Sequence, residues 1–469
     1  MNFMVQEKQE NQGQRCEGDV NTSSLRSQWI AKEIPAESKA WLERDSVAFL
    51  HQALSTPCLD VLARCEGSFI EDLQGKRFLD FHGNSVHQVG FANPHVLNAI
   101  RRQLDSLCFS PRRFTNLPAI ELAEKLGALA PGDLTKVLFA PGGTTAVGMA
   151  LKLARVATGR FKTVSMWDAF HGASLDVLSV GGESCFRKGI GPLLPGTEHV
   201  PPFEPYRCLW DSEGDCARCG IKCARYIAYV LEKEGDVSAV LAEPVRCTSV
   251  NQPPPGYWKR VREACDRHGA LLIFDETAVC LGRTGRMFAC EHDGVVPDIL
   301  VLGKGLGGGV FPLAAIVARK DLDLARGNSL GHYTHEKNPV ACAAGLAALE
   351  VIEREGLLEK TRLQGRAALE RMKTMKEKHP LIGDVRGVGL LLGIELVKDR
   401  TTRTPALEEA EEVMYRCLSG GLSFKVSQGN VLTLTPALTI SDRELAEAFD
   451  ILEHALEETE KTKDERKIS

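Results

Sequence analysis

The 469-residue chain reads as an α/β protein built around a mostly parallel sheet, followed by a tail domain. Three observations predict this. Short, continuously apolar runs alternate with helical stretches from about residue 94 onward, the pattern of strands buried on both faces. Glycine-rich or acidic turns follow several of these runs, where a parallel sheet gathers ligands at the carboxyl ends of its strands. Beyond a long helical stretch over 338–374 the strands become few and separated.

Taken in order, residues 1–25 form a polar arm rich in Gln, Glu, Asn and Ser. Leu and Ala at helical spacing predict a helix over 36–65. Residues 68–73 and 77–81 read as a hairpin around Gln74-Gly75. Strands are predicted over 136–140, 161–165, 238–242, 270–274, 299–302 and 314–318, with helices over 144–158 and 257–268. A strand lies within 383–396 and another over 431–436, and Ser441 caps a final amphipathic helix to about 460. The domain boundaries that follow are an arm over 1–25, the amino-terminal part of a small domain over 26–93, a large domain over 94–345 and the rest of the small domain over 346–469.

Hydrophobic residues make up 43% of the chain, enough for a sizeable core, and the net charge of −5 with both signs interspersed argues against nucleic acid. No apolar run approaches the length of a membrane span, and no basic, apolar leader opens the chain. The 15 cysteines are irregularly spaced and read as reduced residues of a cytoplasmic protein. Cys208, Cys216, Cys219 and Cys223 suggest zinc, but their spacing is unusual and no histidine lies among them, so no metal is expected.

Lys304 follows an apolar strand and sits among glycines, a setting suited to a Schiff base with pyridoxal phosphate. Asp275 ends another apolar strand and could hold a protonated pyridine nitrogen. Gly143 and Thr144 lie where a strand turns into a helix, where backbone N–H groups and hydroxyls can cradle a phosphate. Phe170 could stack on a flat ring, with His171 in support, and Glu243 could steer ring or substrate groups. Glu276 is expected against Arg283 or Arg286. His82 and His87, the paired Arg112 and Arg113, and Arg246 are the donors that would suit a compact dianion.

These residues, with Gly282–Gly285, Pro297-Asp298, Asn338-Pro339 and the 384–387 run, resemble the class III pyridoxal-phosphate-dependent aminotransferases of fold type I, over about 45–460. The resemblance implies a large domain with a mostly parallel sheet and a smaller α+β domain drawn from both chain ends. It gives Lys304 the cofactor aldehyde, Asp275 the pyridine nitrogen, Gly143 and Thr144 the phosphate, and Phe170 the ring face. Thr334 would reach the phosphate of the other subunit's cofactor in a homodimer with shared active sites.

Three departures matter. Ala278 stands where the family usually has a glutamine, and Thr145-Ala-Val-Gly148 replaces a usual Glu-Ala-Asn-Glu. Thr433 replaces a basic residue that meets the carboxylate of a keto acid in many relatives. Some members of the superfamily eliminate rather than transaminate, and the histidine and arginine segments look most like those acting on a hydroxy-aminophosphonate. The expected reaction is therefore conversion of (R)-1-hydroxy-2-aminoethylphosphonate to phosphonoacetaldehyde and ammonia. The alternatives are an ω-aminotransferase of a small amine or 2-aminoethylphosphonate and a phospho-lyase of ethanolamine phosphate.

Overall fold

A computed structural model describes residues 23–52, 58–210 and 215–468. Its centre is a seven-stranded sheet in the spatial order Leu134–Ala140, Ala314–Arg319, Ile299–Leu302, Leu271–Asp275, Val237–Ala242, Lys162–Met166, Thr197–Val200. Only Ala314–Arg319 runs against its neighbours. Alternate side chains of each strand serve opposite faces. Leu241, Ile273 and Val301 pack with Val147 and Ala150 of helix Gly143–Thr158. Val240, Leu272, Phe274 and Leu300 join the larger core with Trp258 and Val261 of helix Tyr257–His268. Covering both faces explains why these strands are apolar throughout.

Two smaller sheets complete the molecule. Ile382–Val388, Leu391–Asp399, Val431–Leu434 and Lys425–Ser427 form an antiparallel sheet, with Thr404–Pro405 paired at one side. The other sheet joins the chain's two ends. Leu62–Glu66, Phe69–Asp72 and Arg77–Asp80 lie in order, and Leu422–Ser423 then pairs in parallel with Arg77–Asp80.

The expected arm lies outside the described residues up to residue 22; Ser24 already begins a helix, Ser24–Glu33, whose cap Ser23 accepts from Arg26 N at 3.0 Å. The helix expected over 36–65 is corrected. It ends with Ala48, and Leu62–Glu66 is a strand paired with Phe69–Asp72 around Gly67, which takes a φ of +58°. A two-strand partnership overrides helical spacing here. The single helix expected over 338–374 is two, Pro339–Arg354 and Leu357–Lys378, because Gly356 turns left-handed at φ +60° between them. The final helix runs on to Ile468. A reciprocal pair of bonds opens it, Glu444 N to Ser441 Oγ at 3.2 Å and Ser441 N to Glu444 Oε2 at 2.8 Å. No helix among the described residues is long and apolar enough to cross a membrane.

Candidate active site

Five strands of the central sheet end at one edge, and each delivers a piece of one site. Leu134–Ala140 leads to Gly143 and Thr144, Lys162–Met166 to Phe170 and His171, Val237–Ala242 to Glu243, Leu271–Asp275 to Asp275 itself, and Ile299–Leu302 to Lys304. All of these residues line a cavity of ≈ 470 Å³, within the usual range for a small-molecule site.

Asp275 forms the floor and is only 5% exposed. His171 Nδ1 lies 2.8 Å from its Oδ2, and Thr277 N donates to its Oδ1 at 3.0 Å. Burial alone would raise this carboxyl; the bonds from His171 and Thr277 outweigh it and hold the group below its usual range. The site therefore has an ionised carboxylate under apolar walls, which suits a cationic ring nitrogen.

At the opposite end, helix Gly143–Thr158 points its first turn into the cavity. Thr144 Oγ1 lies 2.8 Å from Ser174 Oγ. Gly172 is held at φ +142°, and a Cβ there would fall 2.4 Å from Thr144 Oγ1, so this loop can close on the helix start only as glycine. A helix start with hydroxyls and glycines around it is a setting that suits a phosphate.

Lys304 lines the same cavity. It adopts φ +48°, a strained conformation for a residue with a side chain, and its side chain is exposed to the cavity. Phe170 is half-buried, with its ring centroid 4.4 Å from that of Phe186. Glu243 Oε2 accepts from Cys247 N at 3.0 Å, and burial raises its carboxyl above the ordinary value.

A second cavity of ≈ 500 Å³ adjoins the first. Phe170, Glu243, Ala278 and Lys304 line both. Its remaining wall comes from the loop after Arg77–Asp80, through His82, Asn84 and Ser85, and from the carboxyl-terminal sheet, through Lys425, Ser427 and Thr433. Thr433 Oγ1 lies 3.1 Å from Thr248 O and 3.0 Å from Ser427 Oγ.

Of the five side chains expected around a dianion, only His82 is brought to this wall. His87 is fully buried, its Nε2 3.2 Å from Asp80 O and its ring stacked on Phe91, and burial lowers it to about 4, so it is neutral. Arg246 is buried beneath the site, with Nη2 donating to Asp168 O at 2.8 Å. Arg112 and Arg113 are exposed on a turn and line neither cavity of their own chain. Two adjacent guanidinium groups on a short turn stay solvated unless something, such as a second chain, covers them. Thr334 is likewise exposed and lines neither cavity. Glu276 contacts no arginine; it accepts from the backbone N–H groups of Ala289 and Cys290 at 2.6 and 2.7 Å. Lys425 went unnoticed in the sequence, where a lone lysine in Phe424-Lys-Val has no motif around it.

Residues 51–456 match the family described as Aminotransferase class-III. The chain belongs to this family. It is 51% identical to the (R)-1-hydroxy-2-aminoethylphosphonate ammonia-lyase of Vibrio splendidus over 94% of this chain and 95% of that one. It is 36% identical to the leucine/methionine racemase of Thermococcus litoralis over 89% of this chain and 95% of that one. Among solved structures, a Bacillus anthracis aminotransferase superposes with a TM-score of 0.85 at 31% identity, covering 90% of this chain and 98% of that one. An amine transaminase from an uncultivated Pseudomonas species, solved in its PLP-bound form, superposes with a TM-score of 0.83 at 32% identity, covering 88% and 99%. This class-III chain is thus a fold type I enzyme with pyridoxal phosphate as cofactor, and the carboxylate floor, glycine cradle and cavity-facing lysine of its first cavity fit that group.

Proposed function

We propose that this enzyme is an ammonia-lyase converting (R)-1-hydroxy-2-aminoethylphosphonate to phosphonoacetaldehyde and ammonia. The observation that carries this reading is the end-to-end likeness, at 51% identity, to a lyase of that name. Thr433 on the second cavity's wall supports it, because a hydroxyl engaged with Thr248 and Ser427 stands at the position where many relatives carry the basic residue that meets a keto acid.

Gly143 and Thr144 would hold the cofactor phosphate, Asp275 the ring nitrogen, Phe170 the ring face, and Glu243 the groups at the junction of the two cavities. When bound, pyridoxal phosphate supplies an electron sink for the carbon that bears the substrate amine. Lys304 Nζ then acts twice. It takes the proton from that carbon and returns a proton to the hydroxyl on the neighbouring carbon as the C–O bond breaks. The hydroxyl leaves as water. Hydrolysis of the resulting unsaturated amine takes that water back and gives the aldehyde and ammonia, so no keto acid enters the balance. Asp275, kept ionised by His171 and Thr277, would hold the ring nitrogen in its cationic form.

The same reading includes a homodimer, in which the exposed Thr334 would reach the phosphate of the partner's cofactor, and a place in phosphonate breakdown in the cytoplasm. It also divides the chain at 25, 93 and 345 into arm, small domain, large domain and small domain. Ammonia release from the hydroxy-aminophosphonate by the holoenzyme, with no keto acid added, is the expected result. Strict dependence on pyruvate or 2-oxoglutarate would overturn it.

A further inference from the structure

The second cavity needs a cation if its occupant is a phosphonate, and the arginines expected to supply one line neither cavity of their own chain. Among the described residues lining this cavity, Lys304 and Lys425 are the only lysines or arginines. Lys304 is committed to the cofactor and to proton transfer. We propose that Lys425 is the anion seat of the substrate chamber, binding the phosphonate of the substrate and setting the enzyme's preference for a dianionic amine.

The position follows from the sheet. Strand Lys425–Ser427 lies antiparallel to Val431–Leu434, with Lys425 directly opposite Thr433. The cation therefore stands on the neighbouring strand, at the level of the threonine. The hydroxyl of Ser427 and the ring of His82 line the same cavity, so polar groups flank the seat. Phe424, Met414 and Leu418 contribute apolar surface to the same wall. Burial pushes the Lys425 amine down to about 7. A dianion beside it favours the charged form and reverses that shift, so ligand and proton bind together. Lys304 and Lys425 line one cavity, as a substrate with an amine at one end and a phosphonate at the other requires.

This inference rests on the function proposed above, and the experiment separates the two. The holoenzyme and its Lys425→Met and Lys425→Arg variants are assayed for ammonia release from the hydroxy-aminophosphonate. Lys425→Met is expected to raise KM by about 10–100-fold, the usual worth of a bond to a charged group. Its kcat and cofactor absorbance should change little, and Lys425→Arg should recover most of the loss. In parallel, wild-type holoenzyme is acetylated with and without methylphosphonate, and labelling of Lys425 is read by peptide mass spectrometry. Protection is expected. If the wild type releases ammonia while Lys425→Met keeps its KM and methylphosphonate gives no protection, Lys425 is not the seat and the lyase reading stands. If the wild type releases no ammonia, the lyase reading falls, and protection by methylphosphonate, which needs no turnover, still decides whether Lys425 holds an anion.

Discussion

His171 Nδ1 lies 2.8 Å from Asp275 Oδ2, and both side chains are almost wholly buried. The imidazole is thus a positioning group for the carboxylate that, on the function proposed above, would face the cofactor ring. His171→Ala should remove one of the bonds that hold Asp275 ionised and weaken cofactor binding by about 10–100-fold. Titration of the apoenzyme with pyridoxal phosphate, followed by absorbance, checks this. His171→Asn, which can still donate a hydrogen bond, should lose less. Equal losses in the two variants would mean that the imidazole only fills space.

Lys304 is expected to be indispensable for turnover but not for folding. Lys304→Ala should lower kcat by at least about 10²–10⁴-fold, the range for a lost acid–base group, and abolish the absorption band of the lysine-linked cofactor. Its circular dichroism should match the wild type, because the side chain points into a cavity rather than into the core.

Gly172 is the tightest point of the phosphate end. At φ +142°, with Thr144 Oγ1 only 2.4 Å from the position of an added Cβ, Gly172→Ala meets strain and collision together. The expected cost is about 1–3 kcal/mol of stability, read as a lower midpoint in denaturant, with weaker cofactor binding. Gly159→Ala, at another left-handed glycine with nothing near its added Cβ, should leave cofactor binding unchanged.

Glu183 provides a test through pH. Burial, chiefly, raises its carboxyl from 4.5 to about 9. A carboxyl raised on folding contributes stability that is fully present below its unfolded value and is lost as pH rises through the folded one. Glu183→Gln should therefore match the wild type near pH 5 and be the more stable of the two near pH 9. The difference grows by at most about 1.4 kcal/mol per pH unit. Denaturation midpoints at several pH values measure it, and parallel curves for the two proteins would contradict the assignment.

The central sheet and its ligand edge were legible because burial on both faces writes itself as unbroken apolar runs, and because Lys304, Asp275 and Gly143 each follow such a run directly. The partnership of His171 with Asp275 was not, since 104 residues separate them and only the parallel order of the strands brings them together. The surroundings of Arg112 and Arg113 were not legible for the same kind of reason. Their charge is visible in sequence, but the turn that leaves them in solvent is a tertiary outcome. Lys425 is the same lesson reversed, because a cation becomes a ligand candidate only once a strand places it opposite Thr433 on a cavity wall. The helix break at Gly356 was present as a glycine but carried no flanking cue strong enough to outweigh the helical spacing around it.

The pairing of Leu422–Ser423 with Arg77–Asp80 has a consequence for how the enzyme is born. A chain leaves the ribosome amino end first, yet this early strand gains its last neighbour only after nearly everything else has emerged. His82 follows the early strand and Lys425 the late one, and both belong to the chamber where the substrate would sit. The cofactor's strands can assemble while synthesis continues, but the substrate's room is closed by one of the final segments to arrive. A nascent or carboxyl-terminally clipped chain would therefore carry Lys304 and its cavity without a finished place for the molecule the enzyme acts on.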